Sequence, residues 1–443
     1  MIMGGRIWRA LLLIPLVVLT SHPIAQGQIV NIYNKEDWDS INRINKEKID
    51  KHLLRLMREH NIDMWIIMSR ECNEDPLMVN ISGRWGHRCA YIFYDNGGIR
   101  VEFTRIGTHP WYTDYAGLLT KQITYQREGL KPHLRKFMEE RNPSRIGVNI
   151  SRTIPMADGL TVAMRDYLVD AIGEKYASRF VSAESLAVAF RRLRVPEEHE
   201  NLKMATEKGS RILYATFHDG FIQPGKTTAE DLYWHILELT RKEGLDYSFE
   251  PLVMIRRPGL PTSSRVAAIE PLKPGDIICV DYGIVYRTLT TDMKRTAYIL
   301  KKGEKQPPKE LKKALEDAFK ARDAFCQLLR PSMTGIELDD EAHRWLKEDN
   351  IDGSFYSHST GNFVHGIGTW TGQNFPDRYG DRVFLPTVEG EHFALEYHIL
   401  AKIPDFPEPV SLPMEDTGYI TREGLHLFPQ GKMTEIWFIK SEP

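Results

Sequence analysis

The sequence predicts an α/β (α+β) chain of two domains, the second of them duplicated. Three observations predict this. The 443 residues are too many for one ordinary domain. From about residue 35, stretches with helical spacing of apolar residues alternate with short apolar runs of strand length. In the second half, two stretches resemble each other at nearly one offset, which marks a repeated unit. Hydrophobic content of 42% and charged content of 27% suit a globular chain with a substantial core. A formal net charge of −2 gives no attraction to a polyanion, so no nucleic-acid partner is expected.

The first 27 residues stand apart. Arg6 and Arg9 precede the apolar run Ala10–Thr20, and small residues follow around Ala25 and Gly27. A charged start, a short apolar centre and a small-residue site make a signal peptide, so residues 1–27 are expected to be removed and the protein exported, periplasmic or secreted. The run is too short to span a bilayer, and no later segment is apolar enough, so no membrane attachment is expected after cleavage. Of the four cysteines, Cys72 and Cys89 could pair in an exported chain. Cys279 lies in an apolar strand and reads as a small core residue.

Residues 35–193 read as one α/β unit. Ile49, Leu53, Leu56 and Met57 recur at helical spacing, and Met64–Met68 is a short buried strand. Asp95-Asn-Gly-Gly98 joins two apolar runs as a hairpin turn, and Ser144–Ser151 is a further strand. No cluster of ligand-type or nucleophilic residues appears, so this unit is expected to shape or cover a site elsewhere.

Residues 194–443 follow a boundary near Arg194. Pro196 opens a long helix, and Glu197, Glu198 and Glu200 suit its positive end. Phe221–Leu232 then resembles Leu328–Leu338, with Pro224, Thr227 and Glu230 matching Pro331, Thr334 and Glu337 at an offset of 107. Leu245–Phe249 resembles Ile351–Phe355 at an offset of 106. Such halves predict a pseudo-twofold domain whose strands meet at one central site.

Five polar residues interrupt the apolar strands of this domain. Asp281 ends the run Asp276–Val280, and Asp292 follows eleven residues later, before another strand. His365 lies among small and apolar residues, Glu396 lies within a strand and Glu415 precedes one. Several buried anions held together are costly unless cations neutralise them. Oxygen ligands with one imidazole nitrogen suit manganese, cobalt, iron or zinc. Two divalent ions would match four carboxylates in charge and suit attack by a bridging water on a carbonyl.

This pattern resembles the superfamily of methionine aminopeptidase, Xaa-Pro aminopeptidase, prolidase and creatinase. The carrying residues are Asp281-Tyr-Gly283, Asp292-Met-Lys-Arg-Thr296, His365-Gly-Ile-Gly368, Glu396 in Phe-Ala-Leu-Glu, and Glu415 in Met-Glu-Asp-Thr. The resemblance implies a pita-bread domain over residues 194–443 behind a creatinase-like N-terminal domain over residues 35–193. It implies Asp281 as a ligand to one metal, Asp292 and Glu415 as bridges, and His365 with Glu396 on the other metal. Glu396 would also accept the proton of the attacking water. Creatinase itself lacks this ligand set, so the full set here points away from its reaction.

Three departures bear on substrate, the first being that the histidine which the family's proline-specific members carry soon after the metal histidine is missing, with residues 368–376 (GTWTGQNFP) in its place. Where the family's peptidases place a histidine before the first Asp, this chain has Ser263, Ser264 and Arg265, so Arg265 is a candidate for meeting a substrate carboxylate or oxyanion. His358-Ser-Thr-Gly361 precedes His365 with Asn362–Val364 interposed, and His358 is the candidate for the family's substrate-side, catalytic imidazole. Trp370 and Phe375 are candidates for a pocket wall. The reading is therefore an exported, homodimeric, dinuclear metallopeptidase. It would hold manganese, or else cobalt, zinc or iron, and would hydrolyse short peptides near the N-terminus, with Xaa-Pro as the candidate bond. The alternatives are a weakened pita-bread protein serving as a binding module, and a hydrolase of a non-peptide amide.

Overall fold

The computed structural model describes residues 34–82, 87–107, 117–372 and 376–441. The expected leader and Phe375 lie outside the described residues.

The N-terminal domain is a six-stranded sheet in the order β4-β3-β2-β1-β5-β6. Its strands are β1 (Met64–Ser69), β2 (Cys89–Tyr94), β3 (Glu102–Gly107), β4 (Lys121–Thr124), β5 (Ile146–Val148) and β6 (Phe180–Ser182). β2 and β3 form the expected antiparallel hairpin, while β1 and β5 run parallel. Every residue of β1 is buried. Strand alternation explains how: Trp65 and Ile67 enter one core, while Met64, Ile66 and Met68 enter another on the opposite face. Ile49, Leu53, Leu56 and Met57 pack into the first core, as their spacing predicts. The four cysteines are free. The possible Cys72–Cys89 pair is not formed: Cys89 is buried in β2, while Cys72 sits exposed on a turn at φ 62°.

The second domain is built on a nine-stranded sheet. Its strands are β8 (Leu252–Arg256), β9 (Ile277–Tyr282), β12 (Met293–Ile299), β13 (Gly353–Phe355), β14 (His358–Ser359), β15 (His392–Ala401), β16 (Val410–Thr421), β17 (Gly424–Leu427) and β18 (Trp437–Ile439). The main path is β13-β15-β16-β12-β9-β8. A small sheet of β7 (Asp246–Tyr247), β10 (Ile284–Tyr286) and β11 (Leu289–Thr290) flanks it.

The duplication is visible in the helices. Pro196–His218 and Ala229–Lys242 pack on one half, and Lys309–Leu328 and Gly335–Glu348 on the other. The second helix of each pair begins with a capping box, Thr228 with Asp231 and Thr334 with Glu337. Thr228 is therefore the counterpart of Thr334, and the expected match with Thr227 is one residue out. Hydrogen bonding at the helix start, not the proline before it, sets the register of the repeat.

Candidate metal centre

β9, β12, β16 and β15 lie side by side, and their register puts four charged residues in one row. Asp281 pairs with Lys294, Lys294 with Glu415, and Glu415 with Glu396. Directly paired residues share a face of the sheet, so all four side chains project the same way. Asp292 precedes Lys294 by two residues and joins that face. His358 pairs with Ala394, two residues before Glu396, and joins it too. The intervening residues Tyr282, Met293, Met414 and Tyr397 enter the apolar cores under the helices. Alternation thus gives one face to packing and the other to a charged cage. The Asp281-Tyr-Gly283 pattern has its own cause, since a Cβ at Gly283 would lie 1.9 Å from the Thr291 carbonyl oxygen.

The cage is buried and crowded. Asp281, Asp292, Lys294, His358 and Glu415 are buried, and Glu396 is partly exposed. Lys294 Nζ lies 3.1 Å from Asp281 Oδ2, 2.8 Å from Glu396 Oε1 and 2.5 Å from Glu415 Oε2. Burial pushes Asp281 up to about 6, against the pull of Lys294. Burial and then Glu415 push Glu396 up to about 7. Asp292 is raised well above the ordinary range by burial and by Glu415 and Asp281. Burial acts upward on Glu415 as well, but Lys294 and His358 outweigh it and hold it at about 2. One ammonium does not neutralise four carboxylates, so the cage calls for further positive charge.

The cage also has acceptors with nothing to accept. Asp281 Oδ1, Asp292 Oδ1, Glu415 Oε1 and His358 Nε2 are buried without a hydrogen-bond partner. His358 Nδ1 lies 3.1 Å from the Ser359 carbonyl oxygen, which fixes the N–H on that side. Its Nε2 then points at Asp292 Oδ2, 3.6 Å away, and Glu415 Oε1, 3.7 Å away. An imidazole nitrogen aimed at two buried carboxylates calls for positive charge between them, which a metal ion would supply. Orientation of the ring by a backbone carbonyl is also what a metal-binding imidazole needs. Three ligand sets fall within reach of an ion: Asp292, His358 and His365; His358, Glu396 and Glu415; and Asp281, Asp292 and Glu415. The residues present therefore fit a divalent ion.

The structure thus gathers all four expected carboxylates and both histidines, with His358 in two of the ligand sets and His365 in one. His358 is deep among the acids, while His365 is exposed and packs edge-on against His358 with ring centroids 4.7 Å apart. His365 also meets Trp370 at 4.9 Å. Trp370 is buried with Tyr379 and Val383 and backs the histidine pair. Arg265 is exposed, and no hydrogen bond or ion pair joins it to the cage among the described residues. Lys294 was missed in sequence, although its place two residues after Asp292 in a strand assigns it to the same face.

An α/β domain ahead of a duplicated domain, with a carboxylate and imidazole cage on the central sheet, defines the pita-bread class. The model of Metallopeptidase family M24 matches residues 200–422. The chain belongs to that family. A putative Xaa-Pro aminopeptidase of Mycoplasma genitalium is 27% identical over 224 residues, which cover 49% of this chain and 57% of the relative. An Xaa-Pro dipeptidase of Pyrococcus furiosus is 26% identical over 191 residues, 43% of this chain and 51% of the relative. The chain spans about half the length of these relatives. Among solved structures, an X-Pro aminopeptidase from Thermotoga maritima shares the fold at TM-score 0.65 and 19% identity, covering 87% of this chain and 100% of that one. An Xaa-Pro dipeptidase from Bacillus anthracis does so at TM-score 0.63 and 19% identity, covering 89% and 100%.

Proposed function

We propose that the protein is an exported, metal-dependent peptidase that cleaves short peptides at or near their N-terminus, with the Xaa-Pro bond as the candidate target. The observation that carries this reading is the buried cage of four carboxylates around the unpartnered Nε2 of His358. The names of the relatives, Xaa-Pro aminopeptidase and Xaa-Pro dipeptidase, support the bond class. The charged and apolar start of the chain supports export, and the family resemblance supports a homodimer.

Asp281, Asp292, Glu415 and His358 would hold the metal, with manganese the first candidate. When bound, a divalent ion acidifies a water molecule and polarises the scissile carbonyl. Glu396 is partly exposed at the edge of the cage, where a carboxylate can take and return a proton. His365, exposed and packed against His358 and Trp370, would donate a hydrogen bond to a peptide carbonyl. In this reading His358 takes the metal and His365 the substrate, the reverse of the sequence expectation.

The test is a panel of Xaa-Pro and Xaa-Ala dipeptides and tripeptides, assayed with manganese, cobalt or zinc and after chelation. The expected result is metal-dependent release of the N-terminal residue, abolished by Asp292→Ala. Absence of metal-dependent hydrolysis across the panel would overturn the reading in favour of a binding module.

A further inference from the structure

Two divalent ions are the sequence expectation for four carboxylates, but that expectation left Lys294 out of the cage. The register of β12 leaves its side chain nowhere else to start from. Met293 and Arg295 occupy the opposite face, where Met293 joins the apolar core and Arg295 pairs with Asp416. The side chain of Lys294 is 7% exposed, and its ammonium meets carboxylates from three different strands. An ammonium has three N–H donors, so Asp281, Glu396 and Glu415 account for its hydrogen-bonding capacity.

Ligand count then points to a single ion. Lys294 already takes one oxygen each of Asp281, Glu396 and Glu415, the carboxylates that a second divalent ion would need. The atoms left unpartnered are one each from Asp281, Asp292, Glu415 and His358. His358 Nε2 lies 3.6 Å from Asp292 Oδ2 and 3.7 Å from Glu415 Oε1, so these three residues can share one ion. His358 is fully buried with its free nitrogen aimed into the group, so the site does not rest on clustered acids alone.

We propose that Lys294 is a built-in cation standing in for a second metal ion. The cage then takes one divalent ion, on Asp292, His358 and Glu415, while Lys294 neutralises the Asp281 and Glu396 side. This rests on the metal-binding reading above and changes its stoichiometry.

The test is metal content, not turnover. Full-length protein is saturated with manganese, freed of excess, and counted by native mass spectrometry and elemental analysis. One ion per chain is expected in the wild type and in Lys294→Arg, with the electron-paramagnetic spectrum of an uncoupled manganese. Two ions are expected in Lys294→Thr and Lys294→Met, with the signature of a coupled pair. Circular dichroism and gel filtration check that each variant is folded, and the wild-type count decides even where a variant fails. Two ions in the wild type would overturn the proposal while leaving a metallopeptidase in place. One ion in folded Lys294→Thr and Lys294→Met would overturn Lys294 as the cause. No ion in any form would overturn both this proposal and the metal-binding reading beneath it.

Discussion

The two imidazoles, His358 and His365, share similar chemistry yet occupy different positions. His358 is fully buried, and its ring is fixed through the Ser359 carbonyl, whereas His365 is exposed. His358→Ala is therefore expected to reduce metal affinity by more than the roughly 10–100-fold that loss of an outer-shell partner costs. His365→Ala is expected to keep the metal and lose kcat/KM. Calorimetric titration of manganese into both variants separates the roles, and equal metal affinity in the two would reject the assignment. The sequence made the carboxylates legible because each one interrupts an apolar strand. Apolar context alone did not rank the histidines; the family resemblance did, through His365-Gly-Ile-Gly368. His365 reaches one ligand set, and pairing with Ala394 puts His358 in the cage as well.

At the scale of elements, the repeat was readable from composition, and its register was not. The structure fixes the register through Thr228 and Thr334, whose hydroxyls accept from the Asp231 and Glu337 amides. Loss of such a cap costs about 1 kcal/mol. Thr334→Ala and Thr228→Ala are each expected to lower stability by about that amount, while Thr227, whose hydroxyl bonds the Gln223 and Phe221 backbone, acts through its loop instead. Chemical denaturation followed by circular dichroism measures both caps, and a difference between them of more than about 1 kcal/mol would show that the two halves are not equivalent. Strand existence was equally legible, from runs such as Met64–Met68 and Ile277–Val280. The cross-strand register was not, and it alone reveals the row Asp281, Lys294, Glu415, Glu396.

At the scale of the whole molecule, the two domains are joined by buried polar contacts that no local pattern announces. Arg192 ends the last helix of the N-terminal domain and forks onto Glu391, with Nε to Oε1 at 3.2 Å and Nη2 to Oε2 at 2.7 Å. Glu391 immediately precedes β15, the strand that carries Glu396. Arg287, held at φ 46° in the β10–β11 turn, binds Asp37 at 2.7 Å and Glu36 at 2.6 Å. Glu391→Ala leaves the Arg192 charge buried and is expected to cost about 3–5 kcal/mol, whereas Glu391→Gln keeps acceptors in place and costs less. Thermal unfolding of both variants checks the order. The N-terminal domain adds a pH dependence of its own. Asp75 is 1% exposed and accepts from Asn149 Nδ2 at 2.8 Å and the Leu77 amide at 2.9 Å. Burial nonetheless pushes it up to about 6 from 3.8, with Arg191 pulling down and Asp158 pushing up. A carboxyl that binds its proton more tightly when folded stabilises the fold fully below about 4. That contribution is lost as pH rises from about 4 to about 6, and it amounts to about 3 kcal/mol by linkage. Asp75→Asn cannot ionise, so its stability relative to wild type is expected to improve as pH rises through this window and to level off above it. Unfolding midpoints measured at intervals from pH 4 to pH 8 give the difference directly. A wild-type advantage that does not change with pH would mean that Asp75 is ionised in the folded protein throughout, with Asn149 and Leu77 outweighing its burial.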